Sequence, residues 1–217
     1  MKIIIFDFDG TLGDTQAVVV KSFKETVVRG GYDEPSEKAC ESVIGLSLDD
    51  CFKVMLKCDD AEAFRLSEIY QKDVFPQNVA AVKVKPFPYV IETLEELKSQ
   101  GYVMTIATSR AKDSAMSLIP MSGVGQYMSD IVTPQDVDNG KPAPDLAQKI
   151  LEKYCAVPSE TFIVGDAPCD VMMGKNAGCK TCAVTYGNGS PEALKQVKPD
   201  YMIDDIRQLT DILRKCL

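Results

Sequence analysis

Two carboxylates stand behind a short apolar run. Ile3-Ile4-Ile5-Phe6 is followed by Asp7-Phe8-Asp9-Gly10-Thr11-Leu12. Alternation along a strand would point Asp7 and Asp9 the same way. Carboxylates so close repel unless a cation or a proton lies between them. Asp and Gly are also ordinary turn residues, but a turn does not need two acids behind four buried apolar side chains. Three more segments carry reactive groups: Thr108-Ser109, Lys141 ahead of Pro142 and Pro144, and Gly165-Asp166 with Asp170 four residues on. Each has a plain structural use by itself, since Thr-Ser and Asp begin helices and a lone lysine is usually solvated. Together they make a complete chemical set. Three carboxylates, with water filling the remaining positions, suit magnesium. A lysine and a hydroxyl can neutralise phosphate oxygens. One acid is left to attack and one to shuttle a proton.

These segments need a frame that brings them together. Residues 3–6, 103–107, 162–164 and 182–184 are short apolar runs of the kind buried on both faces of a parallel sheet. Helical patterns separate them. Val90, Ile91, Leu94 and Leu97 share a face that ends at Gly101, and 145–154 and 170–177 also read as helices. Strand–helix alternation from 86 onward predicts a doubly wound, mostly parallel α/β core, with the reactive segments at the strand ends where such sheets bind ligands.

Residues 16–83 differ, having no strand-like run. Val19, Val20, Phe23 and Val27 mark an amphipathic helix stopped by Gly30-Gly31. Ser36 can cap a second helix. Ser47 with Asp50 reads as a capping box before the stripe Leu48, Cys51, Phe52, Met55 and Leu56, and a last helix spans about 60–74. Pro76 and the Val82–Pro88 segment mark the return. The expected domains are a core of 1–15 and 84–217 and an inserted all-α unit of 16–83.

Composition narrows the chemistry. The 217 residues are 45% hydrophobic, as expected of a soluble domain that needs no disulfide staples. Net charge is −8, which disfavours nucleic acid and anionic membrane as partners. The apolar run after Lys2 is too short for a signal peptide, so a cytosolic location with eight reduced cysteines is expected. Cys179 and Cys182 form a CxxC without a second pair, and are expected to flank a buried strand rather than bind zinc. The chain contains no histidine, which removes Ser-His-Asp and Cys-His devices and imidazole metal ligands.

The DFDGTL segment, the strand-end threonine, the GKPAPD segment and the GDxxxD segment, in that order, resemble the four motifs of the haloacid dehalogenase superfamily. The resemblance covers essentially the whole chain, and the helical insert resembles a C1-type cap on a Rossmannoid core. It implies that Asp7 is a nucleophile forming an aspartyl-phosphate. Asp9 would be general acid and then base, with its backbone carbonyl helping to hold the metal. Thr108 would bind the phosphoryl group with Ser109 beside it, Lys141 would steady Asp7 and phosphate, Asp166 would ligate Mg2+, and Asp170 would support the metal or orient Lys141. Ser109 stands where many relatives have Asn, and Tyr89 where they often have Gly.

The implied activity is a magnesium-dependent phosphatase for small organic phosphate monoesters, phosphoglycolate-like, acting as monomer or homodimer. Asp9 argues against a dehalogenase. Lys53 and Lys57 would have to supply a phosphonatase's Schiff-base lysine. A mutase resembling β-phosphoglucomutase would carry a cap histidine and an arginine after Gly45, where Leu46-Ser47-Leu48 stands instead. A non-catalytic phosphate binder on the same fold is the alternative from another class. Gly45 and Ser47 are the candidate substrate readers in the insert, and the lack of arginine there predicts no strong preference for bisphosphates.

Overall fold

Ile3–Phe6 forms strand β1, the centre of a six-stranded sheet in the computed structural model, which describes residues 2–82 and 84–216. Its neighbours are β4 (Val103–Ala107) and β6 (Phe162–Gly165). Outside these lie β5 (Asp130–Val132) on one side and β7 (Lys180–Val184) and β8 (Tyr201–Ile203) on the other. All five pairings are parallel, with Ile4 opposite both Met104 and Phe162. Chain order changes direction at β1, so a crevice opens beyond its C-terminal end.

The alternation of β1 is used on both faces. Ile3 and Ile5 pack with Leu146 and Ile150 of α8 (Asp145–Lys153), while Ile4 and Phe6 join the larger cluster on the other side. That cluster continues into α6 (Val90–Ser99), α7 (Lys112–Met121) and α11 (Gln208–Cys216). Short helices α9 (Pro168–Asn176) and α10 (Pro191–Gln196) follow β6 and β7.

Between β1 and β4 the chain builds a helical layer: α1 (Gln16–Arg29), α2 (Glu37–Glu41), α3 (Leu48–Leu56), α4 (Asp60–Ile69) and α5 (Phe75–Ala81). Aromatic side chains hold it together. Phe23 meets Phe52 edge-on at 5.6 Å, and Tyr70 stacks on Phe75 at 5.2 Å. The two crossings to the core, β2 (Gly13–Asp14) and β3 (Lys85–Pro86), pair antiparallel, so entrance and exit are zipped side by side.

Several sequence expectations need correction. The last helix of the insert runs on to Ala81 through a π-helical turn, Tyr70–Val74. Pro76 is not part of the return: it sits in the first turn of α5, directly after the π-helical turn. The helix expected over 170–177 begins at Pro168. Ser47 caps α3 by accepting from Asp50 N at 3.3 Å, but Asp50 turns its carboxylate to the Ser47 hydroxyl rather than back to the backbone. Strands β5 and β8 have only three residues each, too short a run to stand out in the sequence. Tyr89 has φ 64°, the left-handed region that glycine enters freely and other residues at about 1–2 kcal/mol, and its ring lies under Arg207 at 3.7 Å. The cysteines are unpaired; Cys179 and Cys182 are buried beside and within β7, their thiols pushed up to about 12 by burial.

Ile5 is fully buried in the central strand. Ile5→Ala is expected to lower stability by roughly 2–5 kcal/mol, measured by urea unfolding. A loss under about 1 kcal/mol would contradict a packed two-faced sheet around β1.

Candidate active site

The sheet ends its regular ladder at Phe6, and the next residues turn over the crevice. Asp7 N still donates to Val164 O at 2.8 Å, and then Gly13 N bonds back to Phe8 O at 2.8 Å. Gly10, at φ 81°, makes this turn possible; a Cβ there would run into the Asp166 carboxylate and Asn188. Strand alternation therefore stops before Asp9, and the two acids of the first segment are handled differently.

Asp7 is buried beside Lys141, whose ammonium donates to Asp7 Oδ1 and Asp170 Oδ1, each at 2.6 Å. Asp170 accepts from Ala167 N at 3.0 Å with its other oxygen, so one side chain caps α9 and aims the lysine. Asp166 takes the Thr11 hydroxyl at 3.1 Å and Asn188 N at 2.7 Å. One oxygen each from Asp7, Asp166 and Asp170 lie within 4.8 Å of one another. Burial, then the neighbouring acids, push Asp7 well up despite Lys141. Burial and then Asp170 raise Asp166 to about 7. Burial alone would lower Lys141, but Asp170 and Asp7 outweigh it and hold it well up.

Three buried carboxylates thus face one ammonium. With all three ionised, the uncompensated charge is two negative units; all donors are oxygens, and the set fits a small divalent cation, whose charge would favour that ionised state. Asp7, Asp166 and Asp170 are the side chains that would hold it.

Asp9 is turned away from this cluster. Its carboxylate accepts from the Thr15 hydroxyl at 2.5 Å and from Arg110, through Nε at 3.0 Å and through Nη2. The sequence expectation that Asp9 joins the metal residues therefore concerns its backbone and not its side chain. Arg110 also donates to Ser114 Oγ at 2.9 Å and lies over the Phe75 ring at 4.6 Å. Its side chain is only 8% exposed. Burial would lower its basicity, but Asp9 more than restores it. Removing one member of such a pair typically costs about 3–5 kcal/mol.

Above these residues lies a cavity of about 590 Å³, with Asp7, Asp9, Thr108, Arg110 and Asp170 on the core side and Val19, Phe23, Ile44, Phe75 and Val79 on the helical side. Thr108 is buried and accepts from Arg110 N at 3.1 Å. Ser109 lines the cavity and donates to Gly45 O at 3.2 Å; Cys169 Sγ reaches the same carbonyl at 3.3 Å. Gly45, at φ 106°, is thereby the point where the helical layer touches the core. A Cβ on it would sit 3.0 Å from Ala167 Cβ. Ser47 is exposed, serves its helix cap, and does not line the cavity. Lys53 is tied to Asp50 and Asp60 on the outside, and neither Lys53 nor Lys57 lines the cavity.

Arg110, Thr11, Thr15 and Asn188 were missed from sequence. Arg110 follows Thr108-Ser109 directly, and that adjacency to a strand-end threonine is the signal that could have found it. Thr11 and Thr15 looked like turn and helix-start residues, and Asn188 lies in a loop with no marker.

This is the carboxylate-centred site of a hydrolase on an open parallel sheet. Residues 4–184 match the family model for haloacid dehalogenase-like hydrolases. The pyrophosphatase PpaX of Bacillus mycoides is 34% identical over 217 residues, covering 99% of both chains, and that of Bacillus cereus strain Q1 is 34% identical over 215. Among solved structures, a hydrolase from Pseudomonas syringae aligns with TM-score 0.86 at 25% identity over 99% of each chain. A predicted phosphoglycolate phosphatase from Haemophilus somnus aligns with TM-score 0.86 at 24% identity, covering 98% and 97%. The chain belongs to the haloacid dehalogenase-like hydrolases, and its enzyme class is that of their phosphatases. Among the described residues no helix is long and apolar enough to cross a membrane.

Millimolar Mg2+ is expected to raise the Tm by several degrees. A ligand at about 100 times its Kd adds about 2.7 kcal/mol. Protons compete for the same oxygens, and Asp166 titrates near 7, so the rise should be larger at pH 8 than at pH 5.5. Asp166→Asn should abolish it. Calorimetric scans with and without Mg2+ decide, and an unchanged rise in that variant would remove Asp166 from the cation site.

Proposed function

We propose that this chain is a magnesium-dependent phosphatase that hydrolyses small organic phosphate monoesters of the phosphoglycolate type through an aspartyl-phosphate on Asp7. The observation that carries this reading is the buried Asp7–Lys141–Asp170 array with Asp166 alongside, whose Asp7 and Asp170 line the cavity. Residues 16–83 act as a cap over a core of 1–15 and 84–217, and the paired crossings β2 and β3 serve as the hinge.

In the reaction an Asp7 carboxylate oxygen attacks phosphorus. The bond to the leaving oxygen breaks, and that oxygen takes a proton from Asp9. Asp9 then takes a proton from water as the water attacks the phosphorus of the acyl-phosphate, releasing phosphate and regenerating Asp7. Lys141 orients Asp7 and offsets charge on the phosphoryl oxygens, and Thr108 binds the transferred group. A divalent cation held by Asp7, Asp166, Asp170 and the Asp9 carbonyl would add positive charge beside the phosphoryl group. Ser109 ties the core to Gly45 and so shapes the substrate side of the site; Ser47 acts on substrate only through the helix it caps.

Pyrophosphate is the second reading, favoured by the 34% identity to PpaX over the whole chain. Phosphate would simply replace the alcohol as leaving group. The mutase alternative lacks a cation in the Gly45 loop, and a non-catalytic binder would have no use for the complete acid set. The net charge of −8 supports a free small molecule as partner rather than nucleic acid or membrane, in keeping with a cytosolic enzyme.

A metal-dependent assay on p-nitrophenyl phosphate followed by a metabolite panel tests the reading; a folded, Mg2+-loaded protein without turnover on any ester would refute it. Asp7→Asn is expected to lower turnover by about a thousandfold or more while leaving the fold intact. A variant that keeps more than about a tenth of the activity would dismiss Asp7 as nucleophile. Asp9→Asn should lose more activity on alkyl than on aryl phosphates, because an activated leaving group needs less help from an acid. Equal losses on both classes would make Asp9 structural only.

A further inference from the structure

The cavity holds a buried cation that the phosphatase reaction, as derived above, does not use. Arg110 grips both oxygens of Asp9 with Nε and Nη2, gives Nη1 to Ser114, and lies on Phe75 of the helical layer. Among the described residues the other cation lining the cavity, Lys72, is exposed and paired to Glu68. The remaining wall on the helical side is mostly apolar.

We propose that Arg110 determines which leaving groups are accepted, by binding an anion that the leaving group carries next to the ester oxygen. This rests on the phosphatase reading and names the residue behind its selectivity. In the resting arrangement Arg110 and Asp9 satisfy one another. Asp9 is required at the leaving oxygen, so this pair must open in each turnover. Arg110 cannot discard its charge, and a buried guanidinium left without an anion is costly. A carboxylate or phosphate on the leaving group supplies a replacement of matching shape, because the guanidinium fork binds either in a bidentate manner. A neutral alcohol supplies none, and Asp9 stays held.

Substrate binding and release of the acid are thus one exchange of anions on one arginine. No bond forms or breaks in it; the P–O cleavage and the proton from Asp9 follow as above. The substrates selected are phosphate esters of short hydroxy acids, and pyrophosphate, whose leaving group is itself an anion. The sequence offers no arginine in the Gly45 loop for a second anion; the structure supplies one from the core side instead.

The test compares 2-phosphoglycolate and pyrophosphate with 2-hydroxyethyl phosphate, which keeps the glycolate skeleton without its carboxylate. Arg110→Gln should lower kcat/KM on the two anionic substrates by about tenfold to a hundredfold more than on hydroxyethyl phosphate, and Arg110→Lys should recover only part of the difference. An arginine that merely holds Asp9 would depress all three alike, and that outcome overturns the proposal. Binding is measured separately by calorimetry in the Asp7→Asn background. There phosphoglycolate should bind at least about tenfold tighter than hydroxyethyl phosphate, and Arg110→Gln should erase the gap; a gap that persists overturns the proposal as well. If the single variant misfolds with Asp9 unpaired, Asp9→Asn/Arg110→Gln leaves a neutral pair for the same binding comparison. Failure of the phosphatase reading shows differently: the wild type turns over no ester, while the binding gap still decides for or against Arg110.

Discussion

Mutual repulsion among Asp7, Asp166 and Asp170 is the constraint on which the structure turns. Three acids meet in a buried space at the end of β1, with one ammonium between two of them. Such a cluster survives only if rigid elements hold it. Asp7 leaves a strand paired on both sides, Asp170 is locked by the α9 cap, and Asp166 is fixed by Thr11 and Asn188. The stability that the acids cost is offset by the packed faces of the sheet, and the stored charge becomes useful where a cation and a phosphoryl group are to be received.

The helical layer has a complementary physics. It offers apolar walls, aromatic stacking and one strained glycine contact, and no paired acid of its own at the cavity floor. Its apolar side chains share one cluster with the core, and its polar contacts over the cavity include the Gly45 carbonyl with Ser109 and Cys169, beside Phe75 with Arg110. In the proposed reaction this layer acts as a cap, and its closure would bring the apolar wall down on the leaving group. The antiparallel pairing of β2 and β3 keeps its two crossings moving together.

Electrostatically the cavity has two compartments. The Asp7 side carries excess negative charge when its three acids are ionised, while the Asp9 side is a neutral pair. In the proposed reaction this separation would let one acid act as nucleophile beside a cation site while its neighbour two residues on is kept apart from it. The division exists because Gly10 and the Phe8 turn break the strand between them.

Much of this was legible in the sequence. The runs of Ile3–Phe6 and Val103–Ala107 predicted a buried parallel sheet, the ordered Asp, Thr, Lys and Asp segments marked the residues that the fold brings to one crevice, and the lack of a strand pattern over 16–83 predicted a helical insert. These are local properties, carried by side-chain period and by residue type at strand ends. What the sequence left open was decided by partners far along the chain. Asp9 was expected to face with Asp7, yet its side chain was claimed by Arg110, 101 residues away. Ser47 could cap a helix or read substrate, with the cap favoured, and the placement of α3 turned it outward. Arg110 itself was indistinguishable from a solvated arginine until Phe75 and Asp9 closed around it. Residue types and spacing determine which groups are available and which elements carry them; the direction of a side chain after a strand ends, and whether a charge is solvated or buried, depend on what packs against it, and that is settled only when distant segments meet.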